Sequence, residues 1–154
     1  MKEVVDILIN NNKTISTMES CTGGYIVNAI TNISGASEVI KYSAITYSNE
    51  FKIKMGIPKE LIEKYTVYSQ EVANAMSKQI SLYTNSDYGI GVTGKLNKPD
   101  PANPYGSNNL TYISIYSKEE DKFYPSTITC TKENRSDNKE LVLQKIIEIL
   151  LNIL

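Results

Sequence analysis

Histidine is missing altogether from the 154 residues. With it go Ser-His-Asp and Cys-His catalysis and nearly every zinc site, so no metal ligand set is expected. Any acid–base chemistry must be carried by Lys, Tyr, Glu or Asp. Tryptophan is missing too, whereas tyrosine occurs eleven times. Cysteine is scarce: Cys21 and Cys130 stand far apart and make neither a disulfide framework nor a metal spacing. Cys21 reads as a small buried side chain rather than a redox thiol. There is no basic excess, the net charge being −1, which leaves a nucleic-acid partner without electrostatic support. Long hydrophobic runs are absent as well. The longest, at the C-terminus, is broken by Glu148 and Asn152 and is too polar and too short to span a bilayer, so no membrane is expected. Residues 1–20 lack the apolar core and cleavage pattern of a signal peptide, and the expected location is cytoplasmic.

What is present alternates between helix and strand signals. Apolar spacing predicts a helix over 2–11, followed by a strand over 14–18 and a helix over 22–32. The β-branched and aromatic run 39–47 reads as a strand. Asn49 is expected to cap a short helix over 50–55, and Pro58 to open another through Tyr65. Ser69 caps the predicted helix 70–83. Residues 88–94 follow as a buried strand whose small residues admit a close neighbour. Residues 95–109 hold three prolines and four asparagines and form a long loop of the kind that lids or binds. A hairpin over 110–116 and 123–131 precedes a last helix, opened by a capping box at Asp137 to Glu140. The alternation implies an α/β layered domain, with the late hairpin making the sheet mixed, and residues 1–154 are read as a single domain.

The chemistry-bearing stretch is Glu19-Ser20-Cys21-Thr22-Gly23-Gly24, at a strand-to-helix turn. Free N–H groups at such a turn attract a phosphate or a developing oxyanion. Ser20 can be a helix cap, a phosphate ligand or a nucleophile. The flanking residues match neither a phosphate-cradling loop nor a nucleophile elbow. Lys52, four residues after Ser48 and in the first turn of a predicted helix, is either a solvated surface lysine or, if buried, a base of lowered pKa. Serine–lysine pairing activates a hydroxyl without imidazole. Val92-Thr93-Gly94 ends a strand, where ligands of α/β sheets sit. Arg135 is the one arginine among sixteen cationic side chains, and stands either for a bidentate carboxylate or phosphate contact or for a plain exposed residue.

Four segments then occur in order: Glu19-Ser20-Cys21-Thr22-Gly23-Gly24, Tyr47-Ser48-Asn49-Glu50-x-Lys52, Ser69-Gln70-Glu71-Val72-Ala73 and Val92-Thr93-Gly94. Together they make the chain resemble the CinA C-terminal domain family, the nicotinamide-nucleotide amidohydrolases, over nearly its whole length. The resemblance implies a three-layer α/β/α domain, commonly a homodimer, that needs no cofactor. It implies hydrolysis of nicotinamide mononucleotide, a small-molecule nucleotide, to nicotinate mononucleotide and ammonia. Ser20 then matches the nucleophile, Lys52 its base and Tyr47 an assisting hydroxyl. Cys21, Thr22, Gly23, Gly24, Thr93, Gly94 and Arg135 match positions around the substrate. The sequence departs from the family after Thr93-Gly94, where Lys95 to Gly106 replaces a Gly-Pro-Gly-Gly stretch, and Lys139 stands where arginine is usual. The large domain often fused ahead of this one has no counterpart in these residues, and the expectation is a stand-alone module. A catalytically silent relative, or a hydrolase of another small amide, remains the alternative.

Overall fold

The first strand, β1 (Ile15–Glu19), is buried at all five positions and is the axis of the fold. The structure, a computed structural model, describes all 154 residues. Around β1 the sheet runs in the order β2-β1-β3-β4-β5, with β2 at Ala44–Ile45, β3 at Tyr88–Gly94, β4 at Leu110–Ser117 and β5 at Lys122–Thr129. Strand β1 is parallel to β2 and β3, while β3–β4 and β4–β5 are antiparallel. The sheet is therefore mixed, as the late hairpin implied.

Helices cover both faces. Side chains alternate across each strand, so the two faces differ in chemistry. One face presents Ile15, Ile90, Val92, Ile113 and Ile115, which pack with α1 (Lys2–Asn10), α2 (Tyr25–Thr31), α3 (Ala36–Val39) and α7 (Arg135–Ile153) in one apolar cluster. The other face presents Ser16, Gly89, Gly91 and Ser114 to α6 (Gln70–Thr84). Here the helix lies almost on the backbone: a Cβ at Gly89 would stand 2.0 Å from the Ser77 carbonyl oxygen, and one at Gly91 2.2 Å from that of Ala73. Hydroxyls fill what glycine leaves, as Ser77 donates to Ser114 at 2.9 Å. The small residues of 88–94 thus do admit a close neighbour. Ser69 caps α6 as expected, accepting from the Val72 N–H.

Three local readings change. The run 39–47 is not one strand. Gly35, at φ 89°, starts the short helix α3, and only Ala44 and Ile45 pair with β1. Its β-branched residues are instead spent on the core, where Val39 and Ile40 are buried. Ser48 rather than Asn49 caps α4 (Asn49–Lys54), which precedes α5 (Lys59–Tyr65). Asn134, accepting from the Asp137 N–H at 2.8 Å, opens α7 three residues before the expected capping box. Glu140, the supposed far arm of that box, instead accepts from the Tyr25 hydroxyl at 2.8 Å.

Candidate active site

Glu19 ends β1 and is fully buried. Its carboxylate accepts from the N–H groups of Gly24, Ile26 and Val27 at 3.0, 3.2 and 2.8 Å. The start of α2 therefore carries its counter-charge within the chain, which rules out both Ser20 as the cap and an external anion in that role. Gly23 and Gly24, at φ 62° and 92°, make the left-handed turn that brings α2 back over this carboxylate. Neither glycine borders the cavity beside Ser20.

Freed from capping, Ser20 is pinned by its backbone, whose N–H donates to the Val92 carbonyl at 3.0 Å. Its Oγ lies 3.0 Å from Lys52 Nζ, which also donates to the Thr46 carbonyl at 2.7 Å. Lys52 is 1% exposed and has no carboxylate partner. Burial pulls its pKa down from 10.5 to about 8, while the Asp100 carboxylate works the other way. The helix dipole is not the cause, because α4 is six residues long and Lys52 sits in its last turn. The lowered pKa comes from desolvation.

Ser20 borders a cavity of about 140 Å³ at the C-terminal ends of β1 and β3. Cys21, Tyr47, Gly94 and Arg135 border it too. Tyr47 is 66% exposed, and its hydroxyl bonds neither Ser20 nor Lys52. Burial pushes the Cys21 thiol up to about 12, so it stays protonated at neutral pH. The N–H groups of Cys21 and Thr22 donate to no group of the chain, whereas that of Gly23 turns back to the Ser20 carbonyl at 3.1 Å. Thr22 is buried away from the cavity wall, with its Oγ1 unpartnered. Thr93 is not at the cavity either; its hydroxyl is tied to the Val67 carbonyl at 2.9 Å.

The sequence reading missed Glu19, Tyr68, Lys95, Lys98 and Asp100 in this neighbourhood. Glu19 is the internal cap described above. Tyr68 donates its hydroxyl to Asp100, and both border the cavity. That bond holds the Asp100 carboxyl below its usual range, and burial together with the carboxylate drives the Tyr68 phenol upward. Lys95, 3% exposed, borders the cavity from the first residue after β3. The signal was present in the departure after Thr93-Gly94: it removes glycines, but it also adds charges. Loop 95–109 is fastened by Asn103, which accepts from Asn49 at 3.0 Å, and by Asn97, which donates to the Lys132 carbonyl at 3.0 Å.

A mixed sheet between two helical layers defines an α/β/α protein, with a serine and a buried lysine in contact at the strand ends. The chain belongs to the CinA C-terminal domain family, whose model matches residues 1–154. A putative competence-damage inducible protein of Clostridium kluyveri is 40% identical over 124 residues, covering 79% of this chain and 30% of the relative. A CinA-like protein of Dictyoglomus thermophilum is 37% identical over 118 residues, or 76% of this chain and 28% of the relative. The chain thus spans less than a third of the length of these relatives. Among solved structures, a CinA superfamily protein from Escherichia coli superposes with a TM-score of 0.86 at 20% identity, covering 99% of this chain and 87% of that one. The competence/damage inducible protein CihA from Agrobacterium tumefaciens gives 0.84 at 23% identity, covering 98% and 93%. At these identities the superpositions speak for the fold. No helix is long and apolar enough to cross a membrane.

Proposed function

We propose that the chain is an amidohydrolase acting on the carboxamide of a pyridine mononucleotide, converting nicotinamide mononucleotide to nicotinate mononucleotide and ammonia. The observation that carries this reading is the buried, unpaired Lys52 amine 3.0 Å from Ser20 Oγ at a cavity wall. Neutral Lys52 takes the Ser20 proton as Oγ attacks the amide carbon. The free N–H group of Cys21, at the cavity wall, receives the oxyanion, such a donor being worth about 3 kcal/mol where one has been removed. Lys52 returns the proton to the leaving nitrogen, the C–N bond breaks and ammonia departs. Tyr47 assists from the cavity mouth. Water, deprotonated by Lys52, then hydrolyses the acyl-Ser20 ester. Arg135 faces the same cavity and supplies a bidentate donor for the phosphate.

The test is ammonia release from nicotinamide mononucleotide by the purified protein and by Ser20→Ala. Release that depends on Ser20 supports the reading. Tight binding of the nucleotide without release would make the chain a silent binding protein of the same fold. Release from simple amides but not from the nucleotide would move the substrate elsewhere.

A further inference from the structure

The cavity beside Ser20 carries more positive charge than the Ser20 chemistry requires. Lys95, Lys98 and Arg135 all border the cavity, in a chain whose net charge is −1. None of the three has a carboxylate within 4.0 Å. The one carboxylate on the wall, Asp100, is already committed. Its Oδ2 accepts from Tyr68 and from Asn103 Nδ2 at 3.1 Å, and its Oδ1 from the Ala102 N–H at 3.0 Å.

Lys95 stands apart from its two neighbours. Lys98 and Arg135 are exposed and keep their hydration, whereas Lys95 is 3% exposed. Its amine meets only neutral groups: Asn108 Oδ1 at 3.2 Å and the face of Tyr68, 5.3 Å to the ring centre. The Asp100 carboxylate acts on Lys95 only from beyond 4.0 Å, and a buried cation without a contacting anion is costly unless a ligand supplies one. The backbone beneath it is fixed. The Lys95 N–H donates to the Leu110 carbonyl at 2.9 Å, extending the β3–β4 ladder by one residue. Leu96 is buried in the apolar cluster, and its carbonyl accepts from the buried Asn138 of α7 at 3.4 Å. The amine is thus presented from a rigid base, unlike that of a surface lysine.

We propose that Lys95 is a specificity-determining residue of this cavity, binding the phosphate monoester of the substrate, with Lys98 and Arg135 as its outer partners. This rests on the amide-hydrolysis reading for the remainder of the ligand, and on the unpaired cations for the phosphate. It also gives the departure from the family's glycine-rich stretch a function. Where glycines offer backbone N–H groups to a ligand, this chain offers a side-chain ammonium.

Binding is measured calorimetrically in the Ser20→Ala protein, with and without Lys95→Gln, using nicotinamide mononucleotide, nicotinamide riboside and inorganic phosphate. Losing one charge-assisted contact should weaken the mononucleotide roughly 10- to 100-fold. The riboside, which lacks the phosphate, should bind both proteins alike. Equal weakening of riboside and mononucleotide would make Lys95 a structural residue and overturn the proposal, as would unchanged mononucleotide affinity or absence of binding by both phosphate-bearing probes. Melting of each variant checks the fold, and Lys95→Arg, which keeps the charge, should restore the preference for the mononucleotide. If the phosphate-bearing probes bind through Lys95 while the parent protein with Ser20 intact releases no ammonia, the anion site stands and the amidohydrolase reading falls.

Discussion

The two ends of the β-sheet carry cavities of the same volume, about 140 Å³ each, but differ in buried charge: the only charged side chain on the wall beside Thr14 and Ser86 is the exposed Lys41. At the end where β1 and β3 begin, polar groups are matched. Asp87 accepts from the Thr14 N–H and hydroxyl, both at 2.8 Å, and Lys13 reaches Glu119 at 2.7 Å and Asp87 at 3.7 Å. At the end where those strands finish, Lys52 and Lys95 are buried without a carboxylate. Cavity size therefore does not locate the site. Unmatched buried charge does, because a chain that only had to fold would gain by replacing it.

The sharpest way to break this comparison is to make one substitution at each end. Ser20→Ala and Lys52→Met should each lower ammonia release roughly 10⁴-fold or more, as removing a nucleophile or its base does. Asp87→Ala, at the matched end, should leave turnover within a factor of two of the parent, roughly the scatter of such assays, while lowering stability by about 1–2 kcal/mol through its lost hydrogen bonds. Full activity in either of the first two proteins would sink the serine–lysine assignment.

Glu19 qualifies the contrast, since it is a fully matched charge at the unmatched end. Glu19→Ala strands three N–H groups at the start of α2 and should cost about 3–5 kcal/mol, read as a loss in denaturant midpoint. Because Ser20 is the next residue, turnover should fall as well. A loss under 1 kcal/mol would mean that water caps α2 as well as the carboxylate does.

The third test uses pH. Folding lowers the Lys52 pKa from 10.5 to about 8, so between those values the unfolded chain binds a proton that the folded chain does not. Stability from this group therefore rises with pH across that window, by about 3 kcal/mol in all, and the full burial penalty remains at pH 7. Cys21, raised from 9.0 to about 12, acts in the opposite direction over pH 9–12. The difference between parent and Lys52→Met isolates the lysine. That difference should shrink and then reverse in favour of the parent as pH climbs, while kcat/KM of the parent rises through about pH 8. A pH-independent difference would mean that Lys52 is solvated.

Much of this was legible in the sequence, and the rest was hidden for identifiable reasons. The missing histidines left serine and lysine as the available pair, and the order of the motifs carried the family. What pattern could not give was burial. Lys52 reads as a surface lysine by type, and only the fold that seats its amine between Ser20 and the Thr46 carbonyl desolvates it. Glu19 looks like an ordinary strand-end carboxylate until the Gly23-Gly24 turn folds α2 over it. The strand expected over 39–47 failed because β-branched residues serve a buried turn as well as a strand. Thr93 was matched to the substrate by the family resemblance and stands at a strand end, where its hydroxyl bonds the Val67 carbonyl.

Tyr47 sets the smallest expected effect, and it tests how far the unmatched end extends. It is exposed, and its hydroxyl touches neither Ser20 nor Lys52, while Lys52 reaches Ser20 without a relay. Its share in catalysis is then an orienting bond made once substrate fills the cavity, worth about 1 kcal/mol. Tyr47→Phe should lower kcat by roughly five- to tenfold with its pH limb still near 8, since that limb belongs to Lys52. A loss as large as that of Ser20→Ala, with the limb displaced upward, would transfer the proton-accepting role to the phenol. Lys52 would then remain a buried cation beside the reacting groups, and the unmatched charge would mark the place of the chemistry without performing it.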